Sequence, residues 1–139
     1  MSVSVGMDDR DRQDLRRIID AAGGFGHREH LELAYRLLSR HRIADAEAAM
    51  TGALREVAAA HGMPERYHDT LTRSWVRLIA VHRRRWDAAT FDAFMERAEN
   101  RPLLERALLD GHYTRELLFS GRARAGWVAP DVAPLPSAA

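Results

Sequence analysis

A chain of 139 residues has room for one hydrophobic core, burying roughly two-thirds of its unfolded surface. Its 46% apolar and 29% charged residues are ordinary for a soluble globular protein, and a net charge of +1 offers no field of one sign to nucleic acid or an anionic membrane. Cysteine and lysine are both absent, all 21 basic residues being arginine. Disulfides, thiolate metal sites, cysteine nucleophiles, Schiff bases and a P-loop lysine are thereby excluded.

Residues 1–7 are small and polar and predict a flexible start with no signal-peptide pattern. Leu15, Ile18, Ile19 and Ala22 predict a first helix over residues 8–22, opened by acids and closed by Gly23-Gly24. A second helix over 26–40 carries Leu31, Ala34, Leu37 and Leu38 on one stripe. A third, over 43–60, uses Ala46, Ala49, Met50, Ala53, Leu54 and Val57 and stops at His61-Gly62-Met63-Pro64.

Pro64 predicts the opening of a fourth helix over 65–84, with Leu71, Trp75, Leu78, Ile79 and His82 as its stripe. Asp87 is the expected N-cap of a fifth, holding Phe91, Phe94, Met95 and Ala98 and broken at Asn100-Arg101-Pro102. Short helices over 103–109 and 113–120 follow, separated by Asp110-Gly111, and from Gly126 a proline-rich extended tail is expected. The expected fold is all-α: a single-domain antiparallel helical bundle over residues 8–125, with the tail over 126–139. No apolar run approaches the ~20 residues that span a bilayer, and cytoplasm is the expected compartment.

The histidines carry the chemical signal. With His27 at zero and ~100° per residue, His30 falls at about 300°, Leu31 at about 40° and Ala34 at about 340°. His27 and His30 therefore share the inward face of the second helix, one turn apart. Counted from His68, Leu71 lies at about 300°, Thr72 at about 40° and Trp75 at about 340°, so His68 shares the inward face of the fourth. Two imidazoles at i, i+3 and a third from a facing helix form a three-nitrogen metal site with an open position, the arrangement of a catalytic centre. His41 and His82 are too far along their helices to join it, and His61 and His112 sit at helix ends.

A lone histidine on an apolar face is ordinarily a core residue with its hydrogen bond satisfied, but each of three needs a partner. Candidate neighbours are Glu56, at the edge of the third helix's stripe, and Tyr67, Thr72, Arg73 and Trp75 around His68. Exposure is the plain alternative for Glu56, core packing for Trp75, and backbone bonding within the helix for Thr70 and Thr72.

Three segments look familiar together. They are Phe25-Gly26-His27-Arg28-Glu29-His30-Leu31, Tyr67-His68-Asp69-Thr70-Leu71-Thr72, and Ser120 through Ala123-Arg124, Pro130-Asp131 and Pro134-Leu135-Pro136. Over residues 25–136 the chain resembles a family of small bacterial helical proteins with F-x-H-x-x-H-L and Y-H-x-T-x-T motifs. That resemblance implies that His27, His30 and His68 belong together and supplies no reaction. In architecture the chain also resembles the bacterial three-histidine bundles of the DinB type, whose histidine spacing differs.

Arg16-Arg17 and Arg83-Arg84-Arg85 read as solvated helix ends, not as a nucleic-acid surface. No dinucleotide, nucleophile-elbow or calcium-loop motif is present, and Gly23-Gly24-Phe25-Gly26 reads as a joint or lid more readily than as an anion site. The expected function is a small metal-dependent enzyme with one Cu, Zn or Fe ion on His27, His30 and His68. It would act on a small-molecule substrate, with no nucleic-acid or membrane partner, and is compatible with a homodimer. The alternative is a non-catalytic module binding a small ligand or a protein, its histidines filling polar gaps in the core.

Overall fold

A computed structural model describes residues 6–137. Its helices are α1 (Asp9–Ala22), α2 (His27–Arg40), α3 (Ile43–Ala60), α4 (Asp69–Trp86), α5 (Phe91–Glu96), α6 (Arg115–Leu118) and α7 (Gly121–Ala125). Three 3₁₀ segments join them, Pro64–Arg66, Arg101–Leu104 and Arg106–Gly111, and no strand occurs among the described residues. The fold is all-α. No helix is long and apolar enough to cross a membrane.

The first three helices begin and end within a residue of the expected limits, because their stop signals are local. Asp8 caps α1, accepting from the Asp11 amide at 2.8 Å, while the Asp11 carboxylate accepts from the Asp8 amide at 3.1 Å. Gly23 closes α1 at φ +71°, a left-handed conformation that a side chain would strain. At the head of α2 the Glu29 carboxylate reaches back to the Gly26 amide at 2.8 Å.

Helix α2 packs against α1, α3 and α4. That explains why Leu33 and Tyr35, off its expected stripe, are buried with Leu31, Ala34 and Leu37. The alanines of α3 (Ala46, Ala49, Ala53) are fully buried, and among the described residues α3 and α4 make the most extensive helix–helix contact. Alongside it, Arg73 and Arg77 of α4 reach the buried Glu47 of α3 at 3.4 and 3.1 Å, and Arg73 also holds Asp69 at 2.8 Å.

The second half departs from expectation in several places. Helix α4 begins at Asp69, not at residue 65, because Pro64 opens only a 3₁₀ turn and Tyr67 returns the chain to an extended conformation. The N-cap of α5 is Thr90, whose hydroxyl accepts from the Ala93 amide at 3.1 Å; Asp87 instead ends α4 and pairs with Arg83. Helix α5 stops at Glu96, leaving Ala98 exposed. Residues 103–109 form 3₁₀ turns on either side of Glu105, and the helix expected over 113–120 shrinks to α6, capped by Thr114, with α7 added after it.

Residues 126–137 carry no helix and lie against the body. The Thr70 hydroxyl donates to the Gly126 carbonyl (2.8 Å) and accepts from the Val128 amide (3.1 Å), and Tyr113 donates to the Val128 carbonyl at 2.7 Å. Trp127 lies under the Arg77 guanidinium, and Asp131 accepts from both the amide and the hydroxyl of Thr114. The flexible start falls on residues 1–5, outside the described residues, apart from Gly6 and Met7; Met7 packs against the core.

Candidate functional site: a histidine-lined cavity

A cavity of about 800 Å³ opens where the end of α3 and the start of α4 meet the 3₁₀ segments and α6. Its apolar walls include Met50 and Leu54 of α3, Leu71 and Trp75 of α4, and Phe25 before α2. Leu71 and Trp75 are only half-buried although they lie on the inward stripe of α4, because that stripe faces this space. All three expected histidines line it, together with His61.

Each of the three is held by the backbone. His27 donates from Nε2 to the Leu103 carbonyl at 2.9 Å, and its ring sits edge-on to Trp75 with centroids 4.6 Å apart. His30 donates from Nδ1 to the Gly26 carbonyl at 2.5 Å and stacks on Phe25 at 4.3 Å. His68 donates from Nε2 to the Leu118 carbonyl at 2.5 Å, while its Nδ1 accepts from the Leu71 amide at 3.2 Å as the N-cap of α4. Carbonyl acceptors fix which nitrogen carries the proton in each neutral ring.

Burial lowers the pKa of all three below the usual histidine value, and nearby cations add to it: Arg106 beside His27 and His30, Arg124 beside His68. The backbone acceptors oppose this shift without reversing it. Above the usual histidine range the rings are neutral.

The donor set does not close around a metal. His68 has spent both ring nitrogens, one on the Leu118 carbonyl and one on the Leu71 amide, and keeps no lone pair to give. His27 retains Nδ1 and His30 retains Nε2. Among the described residues, the group with three ligand atoms within 4.8 Å of one another is Asp8, Asp11 and His41, at the other end of α1 and α2. There the Arg40 guanidinium, 2.6 Å from both Asp11 and Asp14, already supplies the positive charge.

The expected neighbours divide. Trp75, Tyr67 and Thr72 line the cavity. The Tyr67 hydroxyl is committed to Asp69 (2.6 Å) and Thr51 (3.2 Å), and burial raises its pKa, so it remains a neutral phenol. The Thr72 hydroxyl bonds back to the His68 carbonyl at 2.8 Å, as helical threonines do. Arg73 belongs to the Asp69–Glu47 network, and Glu56 is exposed and paired with Arg12 at 2.9 Å; neither lines the cavity.

Sequence reasoning missed the basic residues of this space, Arg66, Arg106 and Arg115, with Asp110 as the acid among them. All four lie in or beside short turns, where no helical stripe marks a side chain as facing inward. Pro64 was the available signal for Arg66 alone, since it opens the turn that ends there. No protein-family model, curated protein or solved structure matches this chain.

Proposed function

We propose that this protein is a helical module that binds a small molecule of largely apolar surface in the cavity between α3, α4 and the 3₁₀ segments. The observation that carries the reading is the cavity: about 800 Å³, within the size range of ligand sites, with mostly apolar walls and a few polar groups. The neutral histidines suit this role. Their N–H groups are satisfied by carbonyls, which leaves uncharged ring faces and two lone pairs (His27 Nδ1, His30 Nε2) to orient a ligand.

Nile red, an uncharged apolar dye, tests the reading. One saturable site per chain, lost in Ala107→Trp, is expected. Ala107 is exposed and lines the cavity, so the bulky ring fills ligand space without entering the core. Dye uptake that never saturates, or that is indifferent to Ala107→Trp, rejects the cavity as the site.

A second reading, a metal-dependent enzyme using Cu, Zn or Fe, is favoured by one observation: His27, His30 and His68 line the same space. It requires His68 to leave the N-cap of α4 and the Leu118 carbonyl before it can ligate. Metal analysis of the purified protein decides between the two. Stoichiometric metal that is lost on replacing any of the three histidines by alanine supports the enzyme; sub-stoichiometric metal, unchanged by those replacements, supports the ligand module.

A further inference from the structure

The charge around the cavity is unlike the charge of the whole chain. Across the sequence 21 arginines face 20 acids, close to balance. The cavity is lined by Arg66, Arg106 and Arg115 against one acid, Asp110. Of the twelve ion pairs among the described residues none involves these three arginines, and Arg115 only leans over the Phe119 ring, 5.3 Å from its centroid. By contrast the arginines of the α1–α2 and α3–α4 seams are committed to buried acids. The positive field is felt inside, since Arg106 is among the groups that disfavour protonation of His27 and His30.

Apolar surface meets this charge at the same place. Met63 and Phe119, exposed by 37% and 47%, are two of the few large hydrophobic side chains left in solvent, and both line the cavity. A ligand that covers them and also answers three cations has an oily body and a negative head.

We infer that the cavity selects an amphipathic organic anion, its hydrocarbon or aromatic body against Met50, Leu54, Leu71 and Trp75 and its acidic head at Arg66, Arg106 and Arg115. The inference rests on the ligand-module reading and deepens it. Guanidinium groups suit a carboxylate head because their N–H fork matches its two oxygens. Asp110 opposes the head and tempers affinity.

Displacement of Nile red by three probes with twelve-carbon chains, each below its micellar or solubility limit, tests this: dodecanoate, dodecanol and dodecyltrimethylammonium. Dodecanoate is expected to bind about tenfold or more tightly than dodecanol, the size of effect one good charge-assisted contact gives. The cationic probe is expected to bind most weakly. In R66Q/R106Q/R115Q the dodecanoate advantage over dodecanol collapses; all three positions are exposed, so folding is preserved. Asp110→Asn should strengthen dodecanoate binding a few-fold. Equal binding of the three probes, preference for the cation, no displacement of bound dye, or an advantage untouched by the triple variant each overturns the anion assignment. Failure of Nile red to bind at a single Ala107-sensitive site is the separate outcome that removes the ligand-module reading itself.

Discussion

His68 shows what one side chain does when both its nitrogens are used. It ends the extended segment at Tyr67, starts α4 by accepting from the Leu71 amide, and ties that helix end to α6 through the Leu118 carbonyl. His68→Ala removes the cap, worth about 1 kcal/mol, and leaves a buried carbonyl without its donor at a further ~1–3 kcal/mol. Urea denaturation is expected to show a loss of about 2–4 kcal/mol. His68→Asn, which restores the cap acceptor but is too short for Leu118, should fall between. A loss below ~0.5 kcal/mol in His68→Ala would mean that neither bond stabilises the fold. The same chemistry sets a pH dependence. His27, His30 and His68 have folded pKa values lowered from 6.5, so between 6.5 and their folded values the unfolded chain binds protons that the folded one refuses. Stability is therefore full above about pH 6.5 and falls as the pH drops below it. Urea midpoints at pH 8 and pH 5.5 read the loss, which should shrink in H27Q/H30Q. An unchanged slope in that variant would assign the pH dependence to other groups.

At the level of elements, legibility followed the range of the forces that set each one. Helices α1 to α3 were readable because Asp8, Gly23, Gly26 and His61-Gly62 act on their immediate neighbours. The start of α4 was not, because histidine is not an expected cap and a wheel drawn from His68 treats it as helical. The three histidines line one cavity, but their acceptors lie 76 and 50 residues away for His27 and His68, beyond anything periodicity encodes. The 101–111 region departs for a different reason: it forms two 3₁₀ segments parted at Glu105, whose side chains follow no 3.6-residue stripe. The C-terminal segment carries the clearest element-scale test. Thr70→Val keeps the shape of a fully buried side chain and deletes the hydroxyl that both donates to Gly126 and accepts from Val128. A loss of about 1–3 kcal/mol is expected from two unmet backbone groups. The Val128 amide should exchange faster with deuterium than amides in α2. Unaltered exchange at Val128 would show that the segment is held by its other contacts, those of Tyr113, Trp127 and Asp131 among them.

For the whole molecule, the two halves are built on different principles, and the cavity is the consequence. The α1–α4 half closes through buried alanines and committed ion pairs, with Ala46, Ala49 and Ala53 of α3 fully buried. The α5–α7 half supplies short turns that cannot lay a continuous apolar stripe against the last turns of α3 and the first turns of α4. Leu54, Val57, Leu71 and Trp75 therefore remain only partly covered. Incompletely covered apolar surface forgoes part of the transfer free energy that burial would give, about 25 cal/mol per Å², and a ligand that fills the space restores it. Such a ligand binds the folded chain and not the unfolded one, so it stabilises by RT ln(1 + [L]/Kd), about 2.7 kcal/mol at a hundredfold excess over Kd. For a domain of this size that corresponds to a rise in Tm of roughly 5–15 °C. Thermal denaturation with saturating dodecanoate should show this shift in the native chain, little of it in Ala107→Trp, and a reduced one in R66Q/R106Q/R115Q. A native Tm indifferent to every concentration of probe that displaces Nile red would mean that the dye and the probe meet outside the folded cavity. The partial coverage of α3 and α4 would then be a plain packing defect of the C-terminal half.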